Sequence, residues 1–190
     1  MGASCSFIVL SVGDPKRWFD DLPPLDAEAT DRLARRFAGD LVFDGATDLG
    51  RGTAPFEDMV AAGVFGPLAI VVARELATES TALPLAVVST EPYTCVDHFV
   101  LQSTVGLGCY GHWSEGRLVR AFAAADSDIY DDIGERMPFE IGVNYDEDHS
   151  FGWMVNEAMA LRLGFLFEGR WIEDAIRPGD VPLRRYRYRR

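Results

Sequence analysis

Cysteine is scarce and odd in number: Cys5, Cys95 and Cys109 are scattered through 190 residues. That spacing argues against a disulfide framework and for a reducing, cytoplasmic setting. No apolar run reaches the roughly 18 residues of a membrane span, and no basic segment followed by an apolar core marks a secretory leader. The nucleophile elbow G-x-S-x-G and both glycine-rich phosphate loops, G-x-x-x-x-G-K-[ST] and G-x-G-x-x-G, are missing. These absences speak against spanning proteins, disulfide scaffolds, nucleotide binders of the common kinds and elbow hydrolases. No cofactor and no catalytic residue are expected.

What is present is a globular composition, 48% apolar and 12% aromatic. It is uniform along the chain, without repeat or low-complexity linker, so residues 1–190 read as one domain. The net charge is −12, a field that repels nucleic acid and anionic membrane and favours a basic protein partner. One patch opposes it: the closing RRYRYRR holds Arg184, Arg185, Arg187, Arg189 and Arg190. Setting those five aside takes the remainder from −12 to −17. Alternating Arg and Tyr suit a nucleic-acid strand. They suit equally a last β-strand guarded by charge, or a tail docked on the acidic body.

Apolar runs bounded by turn residues predict strands over 6–12, 41–43, 59–76 (broken by Gly66-Pro67), 93–101, 105–113 and 117–123. Asp26 as N-cap, apolar spacing through Ala29, Leu33 and Phe37, and Gly39 beyond predict a helix. Residues 153–167 are apolar on nearly all sides, as in a core helix, with Gly169 as its end. Consecutive hairpins and two main helices give an α+β fold, with a largely antiparallel meander sheet packed on those helices.

Cys95-Val-Asp-His98 and Cys109-Tyr-Gly-His112 mimic a zinc spacing. A hairpin turning near Gln102-Ser103 is expected to put the two cysteines on one face and the two histidines on the other, so no metal is expected. Asn144, Asp146 and Asp148 alternate as in a calcium loop, but the required glycine position is His149 and the twelfth position is Val155. That stretch, like Asp126 to Asp132, reads as a solvated acidic loop. The residues left for ligand contact are Trp113, Glu135, Glu140, His149 and Glu157; burial of Glu157 in the apolar helix would raise its pKa or pair it with Arg162.

The segment GRLVRAFAAADSDIYDDIGERMPFE, residues 116–140, resembles a family of uncharacterised proteins found chiefly in actinobacteria. The likeness rests on Trp113, Glu115-Gly116, Leu118-Val119-Arg120 and Ile133-Gly134-Glu135-Arg136-Met137-Pro138-Phe139-Glu140. Weaker echoes run from Met1-Gly2-Ala3 to Asp180-Val181-Pro182-Leu183. Bacterial origin fits the arginine bias, Lys16 being the sole lysine. Where the family carries His-x-x-His-Ser and Asp-Trp, this chain has Gln102-Ser103 and Gly106-Leu107, so no histidine role transfers. The resemblance brings no activity with it.

The leading expectation is a non-enzymatic binding or regulatory protein with a basic partner, immunity- or antitoxin-like in its concrete form. A small-molecule binder or hydrolase using the carboxylates, and nucleic-acid contact through the tail, are the alternatives.

Overall fold

A strand that is apolar at every position, not at every second one, must bury both of its faces. β4 (Leu68–Ala73) is of this kind, and β1 (Ser4–Ser11), apolar from Phe7 to Leu10, is buried at every position after Ser4. In the computed structural model, which describes residues 4–53, 58–126, 128–143, 151–169 and 172–189, they lie in the middle of one antiparallel sheet. From one edge the order is β2 (Leu41–Asp48), β9 (Pro182–Tyr188), β3 (Met59–Phe65), β4, β1, β5 (Cys95–Gln102), β6 (Leu107–Ser114), β7 (Arg117–Ala125) and β8 (Asp128–Gly134). β3–β4 and β5 through β7 are sequential hairpins, as the runs of turn residues predict, and β8 adds a further hairpin where an acidic loop was expected. β9 returns from the far end of the chain to insert between β2 and β3.

The helices are α1 (Lys16–Asp20), α2 (Ala27–Ala38), α3 (Leu49–Gly52), α4 (Leu85–Val88) and α5 (Gly152–Leu163). Alternate residues of each central strand supply the two cores. Phe7, Val9, Ile70, Val72, Phe99 and Tyr110 meet Val155, Ala158, Met159 and Leu163 of α5. Ile8, Leu10, Val71, Val96 and Trp113 face the side covered by α2, with Ala34, and by the segment carrying Leu76, Leu83 and Val88. Each fully buried side chain of this size stabilises by about 1.5–3 kcal/mol. This double burial explains why α5 is apolar nearly all round while α2 is amphipathic.

The local signals act as expected at α2: the Asp26 carboxylate accepts from Ala29 N at 2.9 Å and caps the helix. α5 stops earlier than Gly169. Gly164 takes the left-handed conformation (φ 82°) and its N–H reaches the carbonyls of Met159 and Ala160, which closes the helix four residues short of the apolar run's end. The Asp44-Gly45 signal is a bulge inside β2 and not its end. The acidic stretch after Asp126 contains β8, an exposed edge strand whose Asp128, Asp131 and Asp132 discourage further pairing. Among the described residues no helix is long and apolar enough to cross a membrane.

Candidate functional site

An acid in the middle of a buried strand requires partners, because an unpaired buried carboxylate is prohibitively costly. Asp97 in β5 is fully buried. Its Oδ1 accepts from Arg162 Nε (2.9 Å), His112 Nδ1 (3.0 Å) and the Tyr110 hydroxyl (3.1 Å), and its Oδ2 from an Arg162 terminal nitrogen (3.0 Å). Burial pushes the carboxyl up, but the His112 hydrogen bond and the Arg162 charge together hold it below the usual range. Tyr110 is driven well above its ordinary value by burial first and by Asp97 second. The four groups come from three elements: β5, β6 and the last turn of α5.

A second knot lies next to it on the same face, since Arg120 of β7 pairs in register with His112. Arg120 and Glu140 are both fully buried. Arg120 Nε donates to both Glu140 oxygens (3.0 and 3.1 Å), a terminal nitrogen closes on Glu140 Oε2, and the other reaches Asp132 Oδ1 at 2.7 Å. Glu140 Oε1 also accepts from Met137 N at 3.1 Å, which ties the short turn Pro138–Glu140 to the sheet. Gly134 ends β8 at φ 86°, and a Cβ there would lie 1.9 Å from the Val119 carbonyl oxygen. The residues that carry the family resemblance thus build this clamp: Arg120, Gly134 and Glu140 form it, and Phe139 meets Tyr110 edge to face at 6.1 Å.

On the opposite face His98 is fully buried. Its Nε2 donates to Leu76 O (2.8 Å), which can only accept; Nδ1 therefore accepts from the Ser80 hydroxyl (2.9 Å). Burial pulls its pKa down from 6.5 to about 4. The neutral ring in the fold and a protonated ring in the unfolded chain mean that stability is complete above pH 6.5 and falls as pH drops toward 4, by about 3 kcal/mol. A ¹H–¹⁵N titration should find His98 as the Nε2–H tautomer with a midpoint near 4. A midpoint at the ordinary value would contradict the burial.

The cysteine–histidine pairs fall differently from expectation. Pairing of Asp97 with His112 and of Val100 with Cys109 sets Cys95 on the face of His112, and Cys109 on that of His98. The connection runs through Ser103–Val105 and Gly106, not Gln102-Ser103, but Gln102 opposite Leu107 is an even change from that turn and moves no residue to the other face. The cysteines part because Cys95 lies two residues before Asp97, and Cys109 three before His112, the partner of Asp97. Each Cys-x-x-His pair still straddles the sheet, so the four cannot converge. Burial raises Cys5 and Cys109 to about 12, which keeps both thiols protonated and inert.

The residues proposed for ligand contact are dispersed. Trp113 is buried in the α2-side core, Glu135 is exposed beyond β8, and Glu140 is committed to Arg120. His149, with Asn144, Asp146 and Asp148, lies outside the described residues, as does Arg190. Arg184, Arg185 and Arg187 stand in β9 and Arg189 follows it. Arg184 pairs with Asp31 (2.9 Å), Arg185 with Asp44 (2.9 Å), Arg187 with Asp44 (3.0 Å) and Arg189 with Asp40 (3.6 Å). The Tyr186 hydroxyl donates to Asp31 and that of Tyr188 to Glu75.

Glu157 lines an open cavity of about 400 Å³ beside α5, together with Trp153, Asn156, Ser103 and Glu168. Trp153 and Glu157 are i and i+4 on one helix face. The Asn156 side-chain oxygen accepts from the N–H groups of Phe167 and Glu168, each at 3.2 Å, and so folds the following turn back to place Glu168 at the rim. The cavity joins an indole to two carboxylates, a set that suits a cation. Sequence reading missed Asp97, Tyr110 and His112 as a group; the available signal was one acid inside an apolar strand.

The chain matches a family of unknown function, DUF6928, over residues 5–186, and belongs to it. No curated protein and no solved structure matches it.

Proposed function

We propose that this member of the family is a non-enzymatic binding protein for a basic protein, immunity- or antitoxin-like in mode, which seats a cationic side chain against Trp153, Glu157 and Glu168. The observation that carries this reading is the cavity beside α5, set in a chain of net charge −12. The tail's described arginines already engage acids of the body, so they supply no separate basic face. The buried knots support the same reading. Asp97 accepts four hydrogen bonds and Glu140 is enclosed with Arg120, which suits a structural role better than proton transfer. The free thiols Cys5, Cys95 and Cys109 fit a reducing compartment.

A cation over an indole contributes roughly 0.5–2 kcal/mol, and a neighbouring carboxylate adds to it. Titration with a tetra-arginine peptide at low salt, followed by tryptophan fluorescence and calorimetry, is expected to show saturable binding. Trp153→Ala and Glu168→Gln should each weaken it by about fivefold, the equivalent of about 1 kcal/mol. Glu168 is exposed, whereas Trp153 is half-buried against Phe122, Phe151 and Met154, so thermal unfolding is measured beside binding and Glu168→Gln carries the test if Trp153→Ala loses the fold. Undiminished binding by both variants would mean diffuse attraction only and would overturn the cavity assignment.

A further inference from the structure

On the face opposite α5, β1 runs between α2 and the α4 segment, with Ile8 and Leu10 in the core beneath them. α2 is pinned on one side: Asp26 N donates to Val64 O (2.8 Å) and Val64 N donates to the Thr30 hydroxyl (2.9 Å). The α4 segment is pinned on the other, with Thr94 N on Ser11 O at 2.9 Å. With both walls fixed, the gap between them stays open. It forms two adjoining chambers of about 230 Å³ each, which share Leu33, Arg36 and Thr90. The inner one is walled by Leu33, Phe37, Pro84 and Val87 and ends on Ile8 and Leu10, which are buried beneath it. The outer one opens past Ala29, Val64, Pro92 and Tyr93.

The polar groups at this groove are few and unequal. The Thr90 hydroxyl is spent on Ala86 O (2.8 Å). Arg32 pairs with Glu28, and Glu91 stands at the outer rim without an ion pair to Arg32 or Arg36. Arg36 lines both chambers and makes no hydrogen bond or ion pair among the described residues. Arg36 is exposed at the mouth that the two chambers share, so its guanidinium can turn onto a carboxylate at that mouth without giving up an ion pair. Tyr93 offers a second donor, since burial raises its hydroxyl above the ordinary value and keeps it protonated.

We infer that the groove between α2 and α4 binds a small amphipathic acid, with an acyl or aryl body in the inner chamber and its carboxylate on Arg36. Each buried methylene contributes about 0.8 kcal/mol, and a guanidinium holds a carboxylate through two parallel charge-assisted bonds. The joined chambers reach the lower end of the range for ligand pockets, roughly 300–1,000 Å³.

Octanoate, octanol and acetate are the probes, read by ¹H–¹³C methyl and ¹H–¹⁵N spectra of the whole chain. Octanoate is expected to shift Ile8, Leu33 and Val87 in a saturable way, and acetate at the same concentration to leave them in place. Arg36→Gln, a change at an exposed position, should weaken octanoate about tenfold and leave octanol unchanged. Val87→Phe, which fills the inner chamber, should weaken both. Octanoate shifts located elsewhere, acetate acting as strongly as octanoate, or equal octanoate affinity in the Arg36→Gln protein would overturn the assignment.

Discussion

Glu140→Ala is expected to cost about 3–5 kcal/mol of folding stability, a large part of the 5–15 kcal/mol typical of a domain. The reason is not the lost attraction itself. Arg120 has no exposed side-chain surface, so removing its buried partner takes the counter-charge from a guanidinium that water cannot reach. The half-exposed Asp132 and the Ala121 and Ile133 carbonyls hold its Nη1 side but do not replace the buried carboxylate. Arg120→Met alone should cost a similar amount, because it strands the Glu140 carboxylate. Arg120→Met combined with Glu140→Met removes both charges and fills the space with apolar atoms, so it should cost far less than the sum. Urea unfolding of the four proteins measures the coupling. Single losses below about 1 kcal/mol, or strict additivity, would show that the pair is neither buried nor coupled.

Asp97→Asn is expected to cost about 3 kcal/mol at neutral pH, since it leaves Arg162 only the exposed Asp14 at 3.9 Å and points an amide N–H at groups that are themselves donors. The cost carries a pH signature. The folded-state carboxyl of Asp97 is held below 3.8, its value when unperturbed. Its contribution is therefore complete above that value and is lost as pH falls through the folded-state pKa. The stability curves of the two proteins should run apart above pH 4 and converge below it. A constant offset down to pH 2 would mean that Asp97 contributes by shape and not by charge.

The strands and the two long helices were legible because their signals are local. Asp26 and Gly39 bracket α2, and Gly116 closes the β6–β7 hairpin. The insertion of β9 between β2 and β3 was not legible, since pairing of Arg185 with Gly45 joins residues far apart in the chain. β8 was hidden because an edge strand has no face to bury: its isoleucines and aspartates read as solvated loop. The polar clusters were hidden for a related reason. Glu157 seemed the natural partner of Arg162, five residues on, whereas Arg162 reaches Asp97 across 65 residues. Glu140 looked like a free carboxylate, and only the register of Arg120 against β8 shows where it is spent. The Arg/Tyr tail was legible only as one of several alternatives, a last strand among them, because the acids that fix it (Asp31, Asp40 and Asp44) come from α2, from the turn after it and from β2.

The partner surface proposed above is the acidic exterior with the cavity of Trp153, Glu157 and Glu168 within it. The most direct test is the association rate of the tetra-arginine peptide measured by stopped flow across ionic strength. Steering by an acidic surface predicts a rate constant that falls by about tenfold or more between low and high salt. The Trp153→Ala protein should keep that salt dependence and dissociate faster. A rate that does not change with salt would contradict the account.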